Sequence, residues 1–189
     1  MKAFRLSGLA LTLLALAACA SNYVPKGEPS LYRDLARPGA ELDAAAVASV
    51  ISHYRASNGL SPVSLDPTLM KLAEAQASLM ARRNKLSHDV GKPFTTRIKE
   101  SGFDAKIAAE NIGAGYGNIA EAFSGWRESR VHNANMLLKG ATRMGIAAVY
   151  APDTRYKVFW SLILAAPDDH RVSDSSEGPP AKLPSSRNL

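Results

Sequence analysis

The sequence predicts an α+β domain: a small antiparallel sheet covered by helices. Apolar residues recur at helical spacing through its first half, while two runs rich in Val, Ile, Tyr, Phe and Trp, "MGIAAVYA" and "YKVFWSLILAA", lie close together near its end. The turn-like "PDTR" between those runs makes them an antiparallel hairpin.

The helices follow in order. Asp43 is a natural cap for a helix whose apolar face is Val47, Val50, Ile51 and Tyr54, and Asn58-Gly59 supplies the stop. "LSPVSLDPTL" reads as a turn leading into a second start, with Asp66 as cap and Pro67 at the first helical position. That second helix is expected to bury Leu69, Leu72, Ala73, Gln76 and Met80. Its last turn carries Arg82, Arg83 and Lys85, which suit the negative end of a helix dipole. A shorter helix is expected from Phe94 to Gly102, and a fourth from Ile119 toward Asn133.

The two ends read differently. Lys2 and Arg5 precede an apolar run over residues 6–18 with no acidic residue, the pattern of a secretory signal. As a helix this run would rise only ~20 Å, short of the ~30 Å hydrocarbon core, so residues 1–18 are read as a removable signal peptide. The run ends in Leu16-Ala17-Ala18-Cys19, which is similar to a bacterial lipobox and would make Cys19 a lipid-bearing mature N-terminus. Ordinary cleavage after Ala20 is the rival, because Ala18-Cys19-Ala20 also fits a small-residue cleavage site. Ala20 and Ser21 supply no aspartate after the cysteine, which favours the outer membrane in a two-membrane host; a soluble secreted or periplasmic protein is the alternative. Residues 19–41 mix Pro, Gly and charge without period and read as a tether, and residues 167–189 as a disordered tail. The folded domain is then residues 42–166.

Cys19 is the single cysteine, so this domain has no internal disulfide and no cysteine-ligated metal. The formal charge of +6 falls by two with the signal. A basic exported protein meets anionic lipid, polysaccharide or wall polymer before it meets nucleic acid, so no nucleic-acid partner is expected; a merely soluble basic surface is the equal alternative. "GAGYG" has the wrong glycine spacing for a dinucleotide site and is read as a permissive turn. No Gly-x-Ser-x-Gly elbow occurs, which argues against a serine nucleophile of that kind.

One stretch resists a purely structural account: "AAENIGAGYG" sets Glu110 among small apolar neighbours. Together with "HYRASNGLSPVSLDPTLMKLAEAQASLMA", "LSHD", "WRESRVHNANML" and "FWSLILA", taken in order, it resembles the CAP superfamily: cysteine-rich secretory proteins, antigen 5 and plant pathogenesis-related proteins. The likeness is to the bacterial SCP-like branch and spans nearly the whole folded part. It implies a three-layer α-β-α sandwich with a large central cleft lined by two histidines and one or two acids, where several members bind a divalent cation. The resemblance places the cleft histidines on His88 and His132 and the cleft glutamate on Glu110. Ser129 stands where animal and plant members carry a further glutamate, leaving three of the four groups.

The residues themselves bear on this set. On a helix continuing past Trp126, the side chains of Trp126, Ser129 and His132 share one face, with Asn135 following. Two imidazoles and a carboxylate match an open zinc site holding water in the fourth position. Glu110 in the second shell, fixing a histidine tautomer, is the other arrangement. Each residue also has a plainer reading: Glu110 in solvent at a turn, His88 on the surface, His132 as packing, and Glu128 as a solvated partner of its neighbours. Trp126 and Trp160 are read first as core.

Three functions follow. The favoured one is a lipid-anchored binding module whose cleft holds a small amphiphile or envelope polymer, with or without zinc. The second is a hydrolase in which Glu110 activates a water held by His88 and His132. The third is a scaffold with a vestigial cleft. The address is testable by itself: Cys19→Ser should abolish fatty-acid labelling in the host, and persistent labelling would overturn the lipobox reading.

Overall fold

A computed structural model describes residues 28–168. The signal, Cys19, His170 and the tail beyond residue 168 lie outside the described residues. Among the described residues no helix is long and apolar enough to cross a membrane.

The helix starts lie where the sequence sets them. Asp43 accepts from the Ala46 N–H at 2.9 Å and opens α1, Ala44–Ala56. That bond, with a 2.8 Å bond from the Ser30 hydroxyl, holds the Asp43 carboxyl below the usual carboxylate range. Asp66 accepts from the Thr68 and Leu69 N–H groups, and Pro67 opens α2, Pro67–Arg83. Asn84 ends α2 in the left-handed region at φ 46°. The short α3 spans Phe94–Glu100.

The sheet is larger than expected. β1, Ser64–Leu65, lies within the stretch read as a turn, and β2, Ala105–Ala114, carries Glu110 itself. β3, Arg143–Ala151, and β4, Lys157–Pro167, form the expected hairpin. The spatial order is β1-β3-β4-β2, with β1 parallel to β3 and the other pairings antiparallel, so the sheet is mixed rather than wholly antiparallel. "GAGYG" straddles the end of β2: Gly113 and Ala114 are strand, and the turn begins at Gly115 with φ 89°.

The fourth predicted helix breaks in two. α4 runs Ile119–Glu128 and α5 runs Arg130–Met136, with Ser129 extended between them at ψ 116°. The single face expected to carry Trp126, Ser129 and His132 therefore does not form. No Gly or Pro marks the break, so periodicity alone ran the two helices together.

Alternation along β4 separates two cores. Val158, Trp160, Leu162 and Leu164 pack with Val47 and Ile51 of α1, Trp126 of α4 and Met136 of α5. Ile163 and Ala165 face Leu69, Ala73 and Ala77 of α2 and Ile98 of α3. Helices thus cover both faces, giving the three-layer α-β-α sandwich. The stretch read as tether is partly docked: Leu35 is buried in the first core, and its N–H donates to the Gly117 carbonyl at 2.7 Å. Its apolar residues are too few for a periodic signal, so polarity hid the contact. At the other end, β4 extends through Pro167, one residue into the stretch read as tail.

Gly145 of β3 lets α2 approach the sheet, because a Cβ there would collide with the Leu69 backbone. Gly145→Ala should therefore destabilise the fold by at least about 1–3 kcal/mol, read as a lower urea midpoint with an unchanged slope.

Candidate functional site: a saturated carboxylate between two histidines

Glu110 sits on β2 opposite Ile163, so its side chain points to the α2/α3 face, and it is only 1% exposed. Three side chains converge on it. Arg97 of α3 binds it with both terminal nitrogens, Nη1 to Oε1 at 3.1 Å and Nη2 to Oε2 at 2.8 Å. The Ser161 hydroxyl of β4 donates to Oε1 at 3.2 Å, and His88 Nδ1 lies 2.8 Å from Oε2. A carboxylate offers about four lone-pair positions, and here four donors fill them.

That arrangement fixes His88. Facing an acceptor, Nδ1 carries the proton, so in the neutral ring Nε2 holds the lone pair. The ring is 45% exposed, and its outer edge is open to a ligand. The loop behind it is held by buried Gln76, whose amide donates to the carbonyls of Ser87 at 2.8 Å and His88 at 3.3 Å. Arg97 adds a 3.2 Å bond to that same His88 carbonyl and a 3.1 Å bond to the Lys92 carbonyl.

His132 arrives from the other face of the sheet, on α5, and an asparagine pair brings it alongside. Buried Asn111 donates to the His132 carbonyl at 2.9 Å. Asn135 donates to the Glu110 carbonyl at 3.2 Å and to Asn111 Oδ1 at 2.9 Å. Two further contacts fix α5 from α1. Tyr54 donates to Asn133 at 2.8 Å, and the guanidinium of fully buried Arg55 donates to the carbonyls of Met136, Leu138 and Ala141. His132 has its pKa lowered, first by burial and then by the positive charge on His88, so the two imidazoles sense one another.

The structure thus gathers Glu110 and His88 into direct contact and sets His132 within electrostatic reach. Asn135 serves as a strap to β2. Trp126 is 1% exposed and belongs to the core, edge-on to Trp160 at 6.3 Å between centroids, with its indole N–H on the Ile112 carbonyl at 3.2 Å. Ser129 is the extended hinge between α4 and α5, and Glu128 and His53 are exposed. Sequence reasoning missed Arg97, Ser161 and Asn111. Asn111 follows Glu110 directly and shares its small apolar context, a signal that could have found it.

The donor set was expected to suit zinc. As placed here, Glu110 has its oxygens met by four donors, with a guanidinium beside it. Among the described residues no group of three or more His, Cys, Asp and Glu side chains is arranged to hold one. The contact with His88 is the one that fixes a tautomer. Two cavities lie apart from this cluster, one of about 390 Å³ beside Lys99 and Phe103 and one of about 400 Å³ beside His53 and Phe123.

Comparison with known proteins accords with this fold. Residues 48–164 match the family model of the cysteine-rich secretory protein family, CAP. The chain belongs to the CAP family. An uncharacterized protein of Bacillus subtilis, YkwD, is 32% identical over 106 residues, covering 54% of this chain and 41% of that relative. The CAP chain therefore spans well under half the length of that relative. Among solved structures, an extracellular SCP-domain protein of Bacillus anthracis aligns with TM-score 0.57 and 21% identity, covering 65% of this chain and 39% of the other. An outer surface protein of Borrelia burgdorferi aligns with TM-score 0.61 and 17% identity, covering 67% and 93%. At such identities these two matches speak to the fold.

The His132 shift has a consequence for pH. Its folded pKa lies below the 6.5 of an ordinary histidine, so the unfolded chain takes up the proton first as pH falls. The stability linked to this residue is complete above pH 6.5 and is lost as pH drops through the lowered folded value. His132→Gln should therefore lose less stability between neutral and mildly acidic pH than wild type, measured by urea unfolding across that window.

Proposed function

We propose that this CAP protein is an exported, envelope-associated binding module, anchored through a lipid on Cys19. It holds a small amphiphilic ligand against the face presented by His88 and His132. The observation that carries the reading is the saturation of Glu110. A carboxylate with four donors on it has no lone pair left to take a proton from water. Glu110 then acts as the anchor that orients His88, and the working surface is the imidazole edge. Two exposed apolar residues flank the histidines in sequence: Leu86, 43% exposed, and Val131, 69% exposed. Polar imidazoles beside such side chains suit a ligand with a polar head and an apolar body. The extracellular and outer-surface descriptions of the two structural relatives support the envelope address.

A second reading has one observation in its favour. A carboxylate that fixes Nδ1–H and leaves Nε2 free is the arrangement that readies a histidine as a general base. On that reading His88, not Glu110, would take the proton in an acid-base hydrolysis of peptide or wall polymer.

The two readings separate in one experiment on protein purified from its own host. Mass spectrometry of extractable small molecules should find a bound species in wild type. That species should be depleted at least about tenfold in His88→Ala and in His132→Ala, equivalent to about 1.4 kcal/mol of binding. Incubation with envelope extract should give no turnover. Turnover lost in His88→Ala would establish the hydrolase instead, and unchanged ligand content in both variants would overturn the cleft as the binding site.

A further inference from the structure

Arg97 is one of the residues here that neither composition nor motif singles out. Its side chain is 10% exposed, and its guanidinium stacks 5.3 Å from the Phe94 ring centroid. Four bonds fix it: Nε to the Lys92 carbonyl, Nη1 to Glu110, and Nη2 to Glu110 and to the His88 carbonyl. It thus joins α3, the His88 loop and β2 around one carboxylate, with the planar fork geometry that guanidinium supplies and ammonium does not.

We propose that Arg97 is a resident cation that makes this cleft metal-independent, so that the site selects neutral or anionic ligands over divalent cations. Charge and geometry act together here. A metal drawing on Glu110 would have to strip the bidentate guanidinium from it and then sit beside that displaced positive charge. Arginine keeps its proton throughout the biological range, so lowering or raising pH does not lift the block. What the cleft refuses does not depend on which ligand it holds.

The test is a zinc titration of the full chain by calorimetry at neutral pH, with elemental analysis of the same samples. Wild type should take up no stoichiometric zinc. Arg97→Gln should free the carboxylate and bind one zinc per chain about 10- to 100-fold more tightly than wild type. Arg97→Lys, which keeps the charge, should gain far less, and Arg97→Gln with Glu110→Gln should lose the gain. Two results would overturn the proposal: wild type binding one zinc per chain in a manner abolished by His88→Ala, or Arg97→Gln binding zinc no better than wild type. The wild-type titration decides even where Arg97→Gln folds poorly.

Discussion

A buried carboxylate needs partners, and the choice of partners for Glu110 organises everything around it. Burying a lone charge costs several kcal/mol, and removing one member of a buried pair typically costs about 3–5 kcal/mol. Arg97, Ser161 and His88 come from α3, β4 and the loop after α2, so meeting the need of one side chain ties three separate segments together. The orientation of His88 is a by-product of that solution. A site whose geometry is enforced by the cost of an unpaired charge is rigid for the same reason that the fold is stable.

Arg55 solves the complementary problem. It is as deeply buried as any core residue, yet its guanidinium meets backbone carbonyls rather than a carboxylate. Burial lowers its pKa. Two of the carbonyls, of Met136 and Leu138, lie at the C-terminus of α5, where the helix dipole places negative partial charge. The helix that carries His132 is thus held at its end by a cation from α1 and along its length by Asn135.

Much of this was legible in the chain and some was not, for reasons that differ by residue. Asp43, Asp66 and Pro67 act locally, through bonds to the next turn of their own helix, and their sequence signals translated directly into helix starts. The aromatic and branched residues of β3 and β4 did the same for the hairpin. β2 was hidden because "AKIAAENIGA" is alanine-rich with an acid in its middle, and because its pairing partner lies some fifty residues away. β1 has two residues, too few for any period. Arg97 was invisible because a cation on a short helix reads as solvated until folding brings a carboxylate to it. The histidines and Glu110 came from the family resemblance. Their local sequences alone leave surface and packing readings open.

The carbonyls of Glu110 and Ile112 are two residues apart on the outermost strand of the sheet, and side chains rather than a further strand take them up. Asn135 occupies the first and the Trp126 indole the second. The opposite border of the sheet is the two-residue β1. In its middle stretch, then, the longer border is already stoppered, and the shorter one is too brief to template anything. Copies of this chain meeting edge to edge there would find those two carbonyls already taken.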